Sequence, residues 1–138
     1  MRFALAMGLA LSAASCGGDG VVSMVAPPPP DDAPTLTQLQ DSIFTPKCGV
    51  PGCHGPPAPE QGMNLSAGNT FGYTVGVDST ELSGFKRVAP GNAADSYLYM
   101  KIAGDPRILG VRMPFGGMLT ATEIEAVRAW IDAGALDN

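Results

Sequence analysis

The sequence predicts a small, all-α, loop-rich domain behind a non-globular N-terminal stretch. Apolar residues recur at helical spacing in three separate segments, near residues 36–46, 92–104 and 120–134. Much of the chain's unusual content of 18 Gly and 13 Pro falls in a linker and in the stretches between those segments. With the N-terminus discounted, the remainder of the 138 residues is enough for one core and too little for two. A formal charge of −5 without a Lys/Arg cluster argues against nucleic acid and against an electrostatic hold on anionic lipid.

Taken in order, residues 1–16 have the form of an export signal. Arg2 supplies a positive start, Phe3 to Leu11 an apolar run too short to span a bilayer, and Ser12-Ala13-Ala14-Ser15 a small-residue cleavage site before Cys16. This resembles a bacterial lipobox, which implies lipidation of Cys16; an ordinary secretory signal cut nearby is the alternative. Both place the chain outside the cytoplasm, periplasmic or on the cell surface. Residues 17–34 follow as a tether, with Gly17-Gly18-Asp19-Gly20, the run Pro27 to Pro30, and Asp31-Asp32. At about 3.1 Å per residue in polyproline II geometry it would reach up to roughly 55 Å.

Residues 35–138 form the expected folded domain. Leu36, Leu39, Ile43 and Phe44 mark a first amphipathic helix, capped by Thr35 or Thr37 and stopped by Pro46 just before Cys48. Gly55 to Pro59 can only be loop. Met63 to Leu82 reads equally as a short helix or as extended chain. Lys86 to Gly91 is an extended approach to a Pro-Gly turn. A second helix runs from Asn92 to Gly104, with Asn92 or Asp95 as its cap. The third has the clearest signature: Thr120 and Glu123 fit a capping box, Ile124, Val127, Trp130 and Ile131 share a face, and Gly134 ends it.

The densest chemistry lies in Cys48-Gly49-Val50-Pro51-Gly52-Cys53-His54, which holds two of the three Cys and the only His. A Cys pair followed at once by His resembles the haem attachment motif of c-type cytochromes in its longer Cys-x4-Cys-His form. Two other readings stand beside it: a Cys48–Cys53 disulfide, and a zinc site short of its four ligands. Under the haem reading a second axial ligand other than His is needed, and Met113-Pro114, in a loop well downstream, supplies a thioether. Met63, Met100 and Met118 are its rivals. Arg87, preferred to Lys86 for its planar fork, is the candidate partner for haem propionates.

From about Leu36 onward the chain resembles the cytochrome c-like domains of exported bacterial lipoproteins. The resemblance rests on Ile43-Phe44-Thr45-Pro46, Cys48 to His54, Arg87 to Gly91, Ser96-Tyr97-Leu98, Lys101 to Gly104, Met113-Pro114 and Trp130 to Ala135. It implies covalent haem c on Cys48 and Cys53, iron held by His54 and Met113, and N- and C-terminal helices packed beside the haem. The implied function is single-electron transfer with an unidentified redox partner protein, non-enzymatic, at a membrane reached through the N-terminal lipid. The alternative is a haem-free, disulfide-closed lipoprotein domain acting as a binding or assembly module.

Overall fold

A computed structural model of the chain describes residues 32–138. The expected signal segment 1–16 with Cys16, and residues 17–31 of the expected tether, lie outside the described residues. Thr35 opens the folded part: its Oγ1 accepts from the Gln38 amide at 3.1 Å while Gln38 Oε1 accepts from the Thr35 amide at 2.8 Å. That reciprocal cap starts α1, Leu36–Leu39. Thr37, the other candidate cap, instead donates its hydroxyl to the carbonyl of Asn138.

The helix does not stop at Pro46. It runs on as a wider, π-helical coil over Gln40–Cys48 with Pro46 inside it, closed by the Gly49 amide on the Phe44 carbonyl at 2.6 Å. Proline is excluded from an α-helix by its missing donor and by its ring's clash with the carbonyl four residues back. In the wider coil the carbonyl four residues back no longer faces the ring, so Pro46 is accommodated without contributing a bond and the chain stays helical up to the first cysteine.

The middle of the chain resolves the ambiguity of residues 63–82 in both directions at once. Thr70–Thr74 is a single helical turn and a half, α2, and the chain after it is extended, with Val75 bridged in parallel to Val88 and Asp78 antiparallel to Lys86. Lys86 is bridged in turn to Ser96. These are isolated bridges, so the described residues are helix-rich without a named strand.

The predicted helix over 92–104 is two pieces. Asn92 caps a short 3-10 turn, Ala93–Asp95, and α3 is Tyr97–Ala103. Ser96 between them is extended and fully buried, its hydroxyl accepting from the Ala89 amide at 2.8 Å and donating to the Asn92 carbonyl at 2.8 Å. The first amides of α3, those of Tyr97 and Leu98, donate to the carbonyls of Lys86 and Arg87. A helix start whose orphan donors are met by another segment needs no continuous helix before it. Gly104, left-handed at φ 78°, ends α3.

The last helix, α4, is Ala121–Asp132, with the Thr120/Glu123 capping box in place. It closes the core on α1 and the coil that follows: Phe44 meets Trp130 edge to face, centroids 6.3 Å apart at 68°, with Leu39, Ile43, Val127 and Ile131 buried around them. Trp130 Nε1 donates to the Leu136 carbonyl, so the indole is buried with its polar atom satisfied. On the other side of the coil Gln40 is buried, donating to Thr45 Oγ1 and the Leu65 carbonyl and accepting from Thr70 Oγ1. This fixes α2 and Leu65 to the coil that ends in Cys48.

Candidate functional site

The loop between the cysteines folds back on itself. Val50-Pro51-Gly52-Cys53 is a turn with the Cys53 amide on the Val50 carbonyl at 3.1 Å, Pro at its second position and Gly52 at φ 80° in its third. The His54 amide then returns to the Cys48 carbonyl at 3.0 Å and the Gly55 amide to Val50 at 3.1 Å. The residues that lengthen the motif are thus taken up in a tight turn, and His54 comes back beside Cys48. Gly49 lies so close to the next segment that a Cβ there would sit 2.5 Å from the Leu65 carbonyl oxygen.

Cys48 is half-buried and Cys53 exposed, and both are free thiols. Burial, and next the neighbouring Cys53, push the Cys48 thiol up to about 11, so it stays protonated at neutral pH. His54 donates from Nδ1 to the Glu60 carbonyl, 3.2 Å away. A carbonyl only accepts, so Nδ1 carries the proton and Nε2 keeps its lone pair, the arrangement in which a second hydrogen bond orients a metal-binding imidazole. Burial is also the main reason its pKa is lowered, which favours the neutral ring. The Glu60 amide on the Cys53 carbonyl and the Leu65 amide on the His54 carbonyl, both 2.7 Å, hold this loop in place.

A cavity of about 430 Å³ opens against these residues. Cys48, Cys53, His54, Arg87 and Met113 all line it, although they come from three separate segments of the chain. The rival thioethers separate by position. Met63 also lines the cavity; Met100 is buried in the core and does not; Met118 is 73% exposed, with Arg112 Nη1 against its sulfur. The Met113 amide donates to the Lys101 carbonyl at 2.9 Å, tying its loop to the end of α3.

Arg87 is 8% exposed, and among the described residues no carboxylate pairs with it. Its guanidinium donates instead to the carbonyls of Gln61 at 2.6 Å, Tyr73 at 2.9 Å and Gly62 at 3.3 Å, and burial lowers its pKa. Those bonds engage three of its five donors and leave the cation, on the cavity wall, without an ion-pair partner among the described residues. Sequence reasoning named Met63 as a rival thioether but did not assign Glu60, Glu81, Tyr97 or Lys101 to this wall. Only the i, i+4 spacing of Tyr97 and Lys101 could have pointed to a shared face.

Among the described residues no three His, Cys, Asp or Glu side chains gather to hold a bare metal ion, and no helix is long and apolar enough to cross a membrane. No family model, curated protein or solved structure matches the chain.

Proposed function

We propose that this chain is a membrane-tethered, monohaem c-type cytochrome domain that carries single electrons. The observation that carries the reading is the shared cavity: two thiols, an imidazole, the Met113 thioether and a buried cation without an ion-pair partner converge on one largely apolar-walled space. That donor set fits a covalently held haem, with Cys48 and Cys53 as thioether attachments, His54 and Met113 as axial ligands and Arg87 facing the propionates. When bound, such a group supplies a one-electron ferrous/ferric couple, and the Met113 thioether raises its potential relative to a second imidazole.

The chain's own part is positional. The Glu60 carbonyl orients His54, the turn at Val50 to Cys53 presents both thiols on one side, and Ile43, Phe44, Leu65 and Leu119 keep water from the cavity wall. His54 and Met113 would both be taken up in holding the iron, which would leave no position for substrate, so the function is carrying charge to a redox partner protein. The lipid at Cys16 would hold the domain at the outer side of a membrane, within reach of that partner.

The test is the absorption spectrum of the full chain made with a cytochrome c maturation system. Bands that survive denaturation and acid-acetone extraction, lost in Cys48→Ala and Cys53→Ala, are expected. Ferric protein should carry a weak far-red thioether band that Met113→Ala removes and Met118→Ala keeps. An intact Cys48–Cys53 disulfide with no haem mass in competent cells would refute the proposal in favour of the haem-free binding module.

A further inference from the structure

The loop bearing Met113 is held by the end of α3, and one residue does most of the holding. The last four carbonyls of a helix lack partners within it. In α3 two of these are met by the loop: Lys101 O accepts from the Met113 amide at 2.9 Å and Ile102 O from Arg112 Nε at 2.8 Å. The side chain of Lys101 grips the same loop at a second point. Its Nζ donates to the Leu109 carbonyl at 2.7 Å, pairs with Glu81 at 3.3 Å, and lies 5.7 Å above the Tyr97 ring. Tyr97 Oη accepts from the Leu109 amide at 3.0 Å. Both polar atoms of one peptide group are therefore taken, by Tyr97 and Lys101 one helical turn apart.

Lys101 and Tyr97 are 8% and 5% exposed. A buried ammonium is costly to desolvate, and an aliphatic side chain would fill the same space without that cost. What the ammonium adds is a charge-assisted bond to a loop that has few apolar anchors of its own, since Leu109, Val111, Phe115 and Met118 are all exposed.

We propose that Lys101, supported by Tyr97 and Glu81, is the positioning residue for Met113, fixing the loop at Leu109 and at Met113 so that the thioether stays in the cavity. This rests on the cytochrome reading above. Lys101 acts through the loop it holds: its Nζ is taken up by Leu109 O and Glu81, and under the cytochrome reading that hold would bias the competition between Met113 and an outside ligand for the iron.

The experiment uses full-length holoprotein with Lys101→Met, Tyr97→Phe, and Lys86→Met as a surface control. Covalent haem is measured in all three, and both readouts are taken per attached haem. Lys101→Met should weaken or lose the far-red thioether band and bind imidazole roughly tenfold or more tightly, the factor given up with one charge-assisted hydrogen bond. Tyr97→Phe should shift both readouts the same way by less, and Lys86→Met should match wild type. A Lys101→Met protein that keeps the wild-type band and imidazole affinity overturns the proposal. If Lys101→Met does not fold, Tyr97→Phe decides on the same two readouts. If wild type carries no haem, the cytochrome reading fails instead, and amide exchange decides this one: equal protection of Leu109 and Met113 in wild type and variants overturns it, while faster exchange in the variants upholds the clamp.

Discussion

Replacing Gly49 by Ala is expected to destabilise the domain through a backbone collision. A Cβ at that position would lie 2.5 Å from Leu65 O, 2.8 Å from Leu65 C and 3.0 Å from Ser66 N. Comfortable separations are about 3.5 Å or more, so the two segments must part by about 1 Å. Neither can yield easily. The Leu65 amide is bonded to His54 O, and the Leu65 carbonyl accepts from buried Gln40. Overpacking of this kind costs about 1–3 kcal/mol, which for a domain of this size lowers the melting midpoint by roughly 10 °C. The assay is thermal melting followed by far-ultraviolet circular dichroism, against two comparisons. Gly117→Ala meets only Pro114 Cγ at 3.8 Å and should melt like wild type. Gly52→Ala meets nothing within 4 Å but has φ +80°, and should lose about 1–2 kcal/mol from backbone strain alone. A Gly49→Ala midpoint equal to that of Gly117→Ala would refute the close approach on which the loop geometry depends.

Other perturbations probe separate parts of the molecule. In haem-free protein at about pH 8, iodoacetamide should modify exposed Cys53 well before Cys48, whose raised pKa leaves about a thousandth of it as thiolate; peptide mapping showing Cys48 modified first would contradict this. Glu123, bonded to Lys47 and to the Thr120 amide, has its pKa lowered in the folded state. It therefore contributes stability above its ordinary value of about 4.3, lost as pH falls toward the lowered one, so wild type should lose more of its midpoint on acidification than Glu123→Gln does. Phe44→Ala, which removes the ring against Trp130, should cost about 3–5 kcal/mol and abolish a cooperative melt or nearly so.

How far the sequence revealed this molecule depended on how local the deciding interactions were. The last helix was legible because its cap and its apolar face lie within one segment, from Thr120 to Ile131. The helix over 92–104 was misread because Ser96 is held extended by Ala89 and Lys86, partners in the preceding extended segment that helical periodicity does not weigh. Pro46 was read as a stop because an α-helix was assumed; the wider coil that carries it has no signature in the local sequence. At the site, the Cys pair and His54 announced themselves by spacing. Among the methionines, Met113 was preferred for the proline after it, but Met63 and Met118 could not be placed by sequence, since the burial and direction of whole segments put Met63 on the cavity wall and leave Met118 exposed. Arg87 was picked for its fork geometry, yet its grip on three backbone carbonyls depends on residues 61, 62 and 73, all distant in the chain.

The contact between Asn138 and the start of α1 gives the fold the topology of a nearly closed ring. Asn138 O accepts from the Thr37 amide at 2.9 Å and its side-chain oxygen from the Leu36 amide at 2.9 Å, so the last residue occupies the position of a neighbour of the first helical ones. In such a ring the order of the segments matters less than their adjacency. A short linker joining residue 138 to residue 35, with the chain reopened elsewhere on the surface, would preserve the adjacency of the segments that line the cavity while moving the point at which the chain enters the domain. The position at which the chain enters the domain is therefore separable from the site, and could be moved by design without altering a residue that lines the cavity.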